Sequence, residues 1–218
     1  MDTNWASEHL QVIRTLMERT ALYRRALAPT MLLTGAIGLF AAAAGWLGRV
    51  EMPRSFVFYW LVVGLATVAA DLIMVRRQAL KESEPFWSPP TRRVIQAVLP
   101  PLAAGLLLTM AVCFGMRSER LEQSMTIFAV SVATYVWLPS LWIVFYGCAL
   151  HAAGFFMPRG IKLFGWMIVL GGASLFWLVF KQAPTYRTGH ALMGVFFGAL
   201  HLAYGIYLHF TERAPKAL

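Results

Sequence analysis

Charge is scarce in this sequence, and acidic residues are the scarcest charged type. Only 13% of the 218 residues are charged and only ten are Asp or Glu, whereas about a quarter of an average soluble domain is charged. The two cysteines, Cys113 and Cys148, both fall in apolar stretches, and their positions give no reason to pair them. We therefore expect buried apolar thiols rather than a disulfide.

The motifs of soluble enzymes are also missing from the chain. It contains no P-loop, GxGxxG, HExxH or CxxC motif, and its spacing gives no Ser–His–acid arrangement. An intramembrane protease or transferase typically needs paired carboxylates or a His–carboxylate cluster, but the apolar stretches hold a single acid, Asp71. These absences favour a non-catalytic protein over an enzyme.

The chain has long apolar runs instead. Hydrophobic residues make up 59% of it, in blocks of about 20 separated by short polar clusters, and ~20 helical residues are enough to cross a bilayer. We predict an all-α membrane protein with six transmembrane helices, preceded by an amphipathic interfacial helix. The predicted spans are 26–48, 54–75, 94–116, 125–156, 161–180 and 188–210. Residues 1–25 are the interfacial helix, 26–210 the transmembrane domain and 211–218 a cytoplasmic tail.

Basic residues predict how the chain lies in the membrane. Of the 19 Lys and Arg residues, thirteen fall on the same side as the amino end and six on the other. The positive-inside rule then places both termini in the cytoplasm of a bacterial inner (plasma) membrane. The net charge of +9 is expected to meet anionic lipid rather than nucleic acid. The longest loop is predicted at 76–93, and Pro139 is expected to kink the long fourth run.

Small residues recur on one face of the first span and again in the last. Such residues allow close helix packing in lipid. Packing within one chain and association into a homo-oligomer or membrane-protein complex are both open. The residues predicted to pack in this way are Gly35, Gly38, Ala42, Gly45, Gly194 and Gly198.

Four polar residues are candidates for binding a ligand or cofactor: Asp71, His151, His201 and His209. They lie in spans two, four and six, all of which run toward the cytoplasm in this topology, so the four side chains could converge there. Neutral imidazole binds metals and haem iron, and a nearby carboxylate orients the ring. His151 and His209, at similar depth, are the minimum for a bis-histidine haem b.

Structural roles are the alternative for each of these residues. His151 and His209 also suit helix ends, and Asp71 could pair with Arg76, Arg77 or Lys81. His201 could hydrogen-bond across helices, for example to neighbours on the side of Tyr204 or of Tyr146. We predict no cofactor, keep haem b as the alternative, and leave the identity of any metal open.

The segment YGCALHAAGFFMPRGIKLFGW, residues 146–166, is the most distinctive local pattern. Together with the entry sequence LMERTALYRR, it loosely resembles small multi-pass inner-membrane proteins of bacteria. The resemblance implies a membrane location and brings no activity, cofactor or site residue. The leading functional hypothesis is a binding, assembly or regulatory subunit of the inner membrane. The alternative is a small transporter or a haem- or metal-bearing redox protein using Asp71, His151, His201 and His209.

Overall fold

The computed structural model describes residues 26–81, 87–115, 129–130, 132–157, 160–178 and 185–213. The predicted interfacial helix 1–25 and most of the predicted tail lie outside the described residues. Within them, six helical rods and no strands are present. They are α1 Ala26–Leu47, α2 Pro53–Lys81, α3 Pro89–Gly115, α4 Ala133–Ala153, α5 Gly160–Leu178 and α6 Tyr186–Arg213.

The all-helical fold is confirmed for this part of the chain. Five of the helices, α1, α2, α3, α4 and α6, are long and apolar enough to cross a membrane, whereas the apolar stretch of α5 is shorter, Gly160–Phe176. The predicted end of the second span, at residue 75, is too early, and the predicted start of the third, at residue 94, is too late. The long loop predicted at 76–93 is mostly helix, because α2 continues to Lys81 and α3 already begins at Pro89.

Two π-helical turns are present: Ala133–Trp137 begins α4, and Gly194–Ala199 lies within α6. The first comes just before Pro139, where the sequence predicts a kink. Pro139 has no N–H to donate to the carbonyl four residues back. The residue before it, Leu138, donates its N–H to the carbonyl of Ala133, five residues back rather than four. The π-helical turn is thus the local adjustment at this proline.

The first described residues of α1 and the last turns of α6 lie at the same end of the bundle. Leu27 and Leu208 share one core cluster there with α5 residues such as Phe164. At the opposite end, Ala42 of α1 packs in a second cluster with Met193 of α6. The two helices are therefore antiparallel along their whole described length.

A seam of small residues joins α1 to α6. A Cβ added at Gly35 would lie 2.5 Å from the backbone nitrogen of Leu202, and one at Gly198 would lie 2.8 Å from that of Leu39. Gly38 contacts the backbone at Phe197, Gly194 faces Ala42, and Gly45 faces the ring of His190. All six small residues singled out in the sequence thus lie on this seam within one chain.

The thiols differ from expectation in their burial. Cys113 is half-buried on α3 and Cys148 is exposed on α4; both are free. Exposure of an apolar side chain on a helix of this kind is compatible with a lipid neighbour. The absence of a disulfide agrees with the sequence prediction, but the expected burial of Cys148 is wrong.

The seam predicts which glycines tolerate a methyl group. Gly38→Ala should lower the free energy of unfolding by about 1–3 kcal/mol, because the new Cβ overlaps the α6 backbone and forces the helices apart. Gly105→Ala is the matched control, since the nearest atoms to its Cβ position are in the side chain of Phe145 at 3.7 Å, an ordinary van der Waals distance. It should be neutral or stabilising by up to about 1 kcal/mol. Unfolding in mixed detergent micelles measures both, and equal losses would contradict the seam.

Candidate functional site

The acid that the sequence singles out lies between two helices. Asp71, half-buried on α2, accepts a hydrogen bond from the hydroxyl of Thr34 on α1, with 2.9 Å between Oγ1 and Oδ2. Its other oxygen, Oδ1, is shielded from solvent and has no hydrogen-bond partner among the described residues. The contact is with a neutral hydroxyl on another helix, rather than with Arg76 or Arg77 further along α2.

A second polar pair joins α4 to α6. The hydroxyl of Tyr146 lies 2.8 Å from Nε2 of His201, and Nδ1 of the same ring lies 2.8 Å from the carbonyl oxygen of Phe196. Since a carbonyl only accepts, Nδ1 carries the hydrogen, and in the neutral ring Nε2 accepts from the phenol. Phe196 lies in the π-helical turn of α6, so the ring bonds a carbonyl at the irregular turn.

These two pairs lie at the same depth in the bundle. Thr34 is next to Gly35, which contacts Leu202, the neighbour of His201. Tyr146 and Asp71 are close enough to interact electrostatically. We call these four side chains from four helices the polar layer: Thr34, Asp71, Tyr146 and His201.

The polar layer is enclosed by aromatic and apolar groups. His201 is fully buried, with the ring of Phe164 at 5.1 Å in an edge contact and that of Phe197 stacked at 6.2 Å. Buried polar groups are costly unless they are bonded, and both nitrogens of His201 are bonded. The ring therefore holds α4 and α6 in register.

A second buried histidine, His190, lies at the end of the bundle where α6 begins. The indole of Trp60 donates to its Nδ1 at 3.2 Å, and its Nε2 lies 3.4 Å from the carbonyl oxygen of Val50. This ring carries its hydrogen on Nε2, the opposite tautomer to His201. The turn after α1 presents that carbonyl, with Arg49 at a φ of 50°. Its bonds from Arg49 to Trp46 and from Val50 to Gly45 have the pattern of a helix-ending Schellman motif.

His190 was not among the candidates from the sequence. Its place in the first turns of a predicted span resembles that of an ordinary interfacial histidine, although the structure buries it completely. The rings of Phe56 and Tyr59 flank it at 5.0 and 5.9 Å. A signal was present in the tryptophan and aromatic residues that open α2, but their partner could not be identified without the fold.

The other two candidates lie apart from the polar layer. Nδ1 of His151 is 3.5 Å from the carbonyl oxygen of Lys162, and its ring contacts Phe155 and Trp166. His209 is half-buried and contacts the ring of Phe210. The expected convergence of four side chains is therefore limited to Asp71 and His201. Among the described residues, no three His, Cys, Asp or Glu side chains form a group that could hold a metal ion.

Comparisons with known proteins add no relative. No family model, no curated protein and no solved structure matches this chain. The functional argument therefore depends on the chemistry of the described residues.

The hydrogen bond between Tyr146 and His201 can be measured by a double-mutant cycle. Tyr146→Phe and His201→Leu, alone and together, should give a coupling of about 0.5–1.5 kcal/mol, the range for interhelical hydrogen bonds of membrane proteins. Unfolding in mixed micelles supplies the four free energies. Tyr207→Phe is the control, because that residue is exposed on α6, and it should show no coupling to His201→Leu. Zero coupling for Tyr146 would contradict the bond.

Proposed function

We propose that the chain is a six-span protein of the bacterial inner membrane with a binding role, as an assembly or regulatory subunit. Five apolar helices of sufficient length support this, and a sixth, shorter one completes an even number of crossings. An even number of crossings returns the chain to the side on which it started, and the start of α1 and the last turns of α6 do lie at the same end of the bundle. The excess of basic residues on that side supports cytoplasmic termini.

The exposure of α2 is the observation that carries this proposal. This helix has 29 residues, and its buried residues are Phe56, Val57, Trp60 and Ala79. Between Trp60 and Ala79, none is buried against the rest of the described chain, whereas α5 has a regular buried stripe at Ile161, Phe164, Ile168 and Leu175. The middle of α2 therefore has an apolar surface available to another transmembrane helix.

A second copy of this chain is the partner that we propose for α2. The exposed middle of the helix includes Gly64, Ala66 and Ala69, and small residues allow two helices to approach closely in lipid. Gly64 differs from the seam glycines because nothing described lies within 4 Å of its Cβ position. Gly64 therefore leaves room for a helix of a second copy to approach α2 closely.

The bonded histidines support a scaffold over a haem protein. Each nitrogen of His190 and His201 has a partner within hydrogen-bonding distance. Iron binding at either ring would break an interhelical or helix-to-turn contact and leave a buried group unpaired, which costs about 1–3 kcal/mol. We therefore do not favour haem b at His190 or His201, and the pair named from the sequence, His151 and His209, stays a prediction.

A small transporter is the second candidate function, and the polar layer is the observation that favours it. An acid inside an apolar span is a functional hypothesis by default, and Asp71 lies at the depth of Thr34, Tyr146 and His201. A transporter would require the carboxyl for its activity. An assembly subunit would require it only for its contact with Thr34.

Cross-linking tests self-association through α2. In a chain with Cys113 and Cys148 replaced by Ala, Leu65→Cys should form a disulfide-linked dimer in membranes on mild oxidation. Leu170→Cys on α5 is the matched control, because both leucines are well exposed, at 73% and 62%, and both lie mid-helix. It should stay monomeric. If Leu65→Cys is also monomeric, or if both cross-link equally, the α2 interface is wrong.

A further inference from the structure

One carboxylate oxygen of Asp71 is buried in the bundle without a hydrogen bond from any described residue. Oδ2 of Asp71 accepts a hydrogen bond from the Thr34 hydroxyl, but Oδ1 is shielded from solvent and has no donor among the residues that the structure describes. An ionised carboxylate in an apolar environment needs several donors or a positive charge to replace its lost hydration. A single hydroxyl group does not provide that replacement.

The described groups facing Asp71 offer no positive charge. Thr34 on α1 is neutral, and Tyr146 on α4 is a phenol whose hydroxyl is directed to His201 on α6. The His201 ring is bonded as a neutral imidazole, because Nδ1 donates to a carbonyl and Nε2 accepts from the phenol. On its own helix the closest cations, Arg76 and Arg77, are exposed more than one turn away.

We propose that Asp71 is a proton-binding site inside the membrane, and that Oδ1 is the oxygen that takes the proton. One proton and the carboxylate form a neutral carboxylic acid, and no other bond changes. Oδ2 continues to accept from Thr34 in both forms. Protonation removes the charge of Asp71, so that α2, which has few buried residues, can stay in an apolar environment. The hydrogen bond from Thr34 on α1 is kept.

A proton suits this site better than a metal cation does. Sodium, calcium and magnesium are hard cations that need several oxygen ligands around them. The hydrogen of Thr34 already points to Oδ2, and no group of three acidic, histidine or cysteine side chains is found among the described residues. A proton needs one oxygen, and Oδ1 is that oxygen.

This inference deepens the transporter function proposed above and does not depend on self-association through α2. A carboxyl that gains and loses a proton within an apolar span is the element that a proton-coupled carrier requires. Binding and transport are separable, however, because the proton can bind without crossing. The experiment therefore measures binding on the carboxyl itself and proton flux separately.

Infrared spectroscopy of the protein in lipid detects the proton directly. The chain has two aspartates, Asp2 and Asp71, so ¹³C-labelled aspartate in an Asp2→Asn background labels Asp71 alone. At neutral pH, where a solvated aspartate is ionised, we expect a carboxylic-acid C=O band that shifts with the label and disappears at alkaline pH. Asp71→Asn should lack the band, and Glu51→Gln, at an exposed residue, should retain it.

Three results would overturn the proposal. The first is the absence of a label-sensitive acid band in the Asp2→Asn protein, which needs no substitution at Asp71. The second is a band that persists in Asp71→Asn. The third is a band that weakens at constant pH when sodium replaces choline, which would assign the site to a metal cation.

Proton flux is measured separately, in liposomes with an internal pH dye. Flux that is lost in Asp71→Asn supports transport. A normal band without flux leaves the proton site intact and contradicts the transporter function alone.

Discussion

The close contact between α1 and α6 is the constraint on which the rest of the structure depends. Their backbones approach at Gly35, Gly38 and Gly198 so closely that a methyl group at any of these positions would overlap the other helix. Small residues stabilise such contacts in lipid because they allow backbone-to-backbone packing, for which the hydrophobic effect gives no driving force. The contact also fixes the relative depth of the two helices.

Depth then decides which polar groups meet. With α1 and α6 in register, Thr34 lies level with His201, and α2 and α4 bring Asp71 and Tyr146 to the same layer. The Thr34–Asp71 and Tyr146–His201 hydrogen bonds both cross between helices, so the layer also resists sliding. The same register brings His190 to Gly45 and to the turn after α1. The pairing of polar groups near both ends of the seam thus depends on the packing of α1 against α6.

Much of the architecture could be predicted from composition, because apolar length alone marks a helix that can cross a membrane. The end of α2 could not, since Arg76, Arg77 and Lys81 mark where the apolar stretch ends and are themselves good helix formers. The unusual polarity of Asp71 and His201 was visible in the sequence. The partner of Asp71, Thr34, was not visible, because the register between helices distant in sequence is set by packing.

The antiparallel register of α1 and α6 is the central claim, and distances between paired spin labels test it most directly. With Cys113 and Cys148 removed, labels at positions 47 and 187 should lie close together, since Arg187 contacts the ring of Trp46 at 5.6 Å. Labels at positions 47 and 210 should be separated by about 35 Å, the rise of the intervening helix. A shorter distance for the 47–210 pair than for the 47–187 pair would contradict the account.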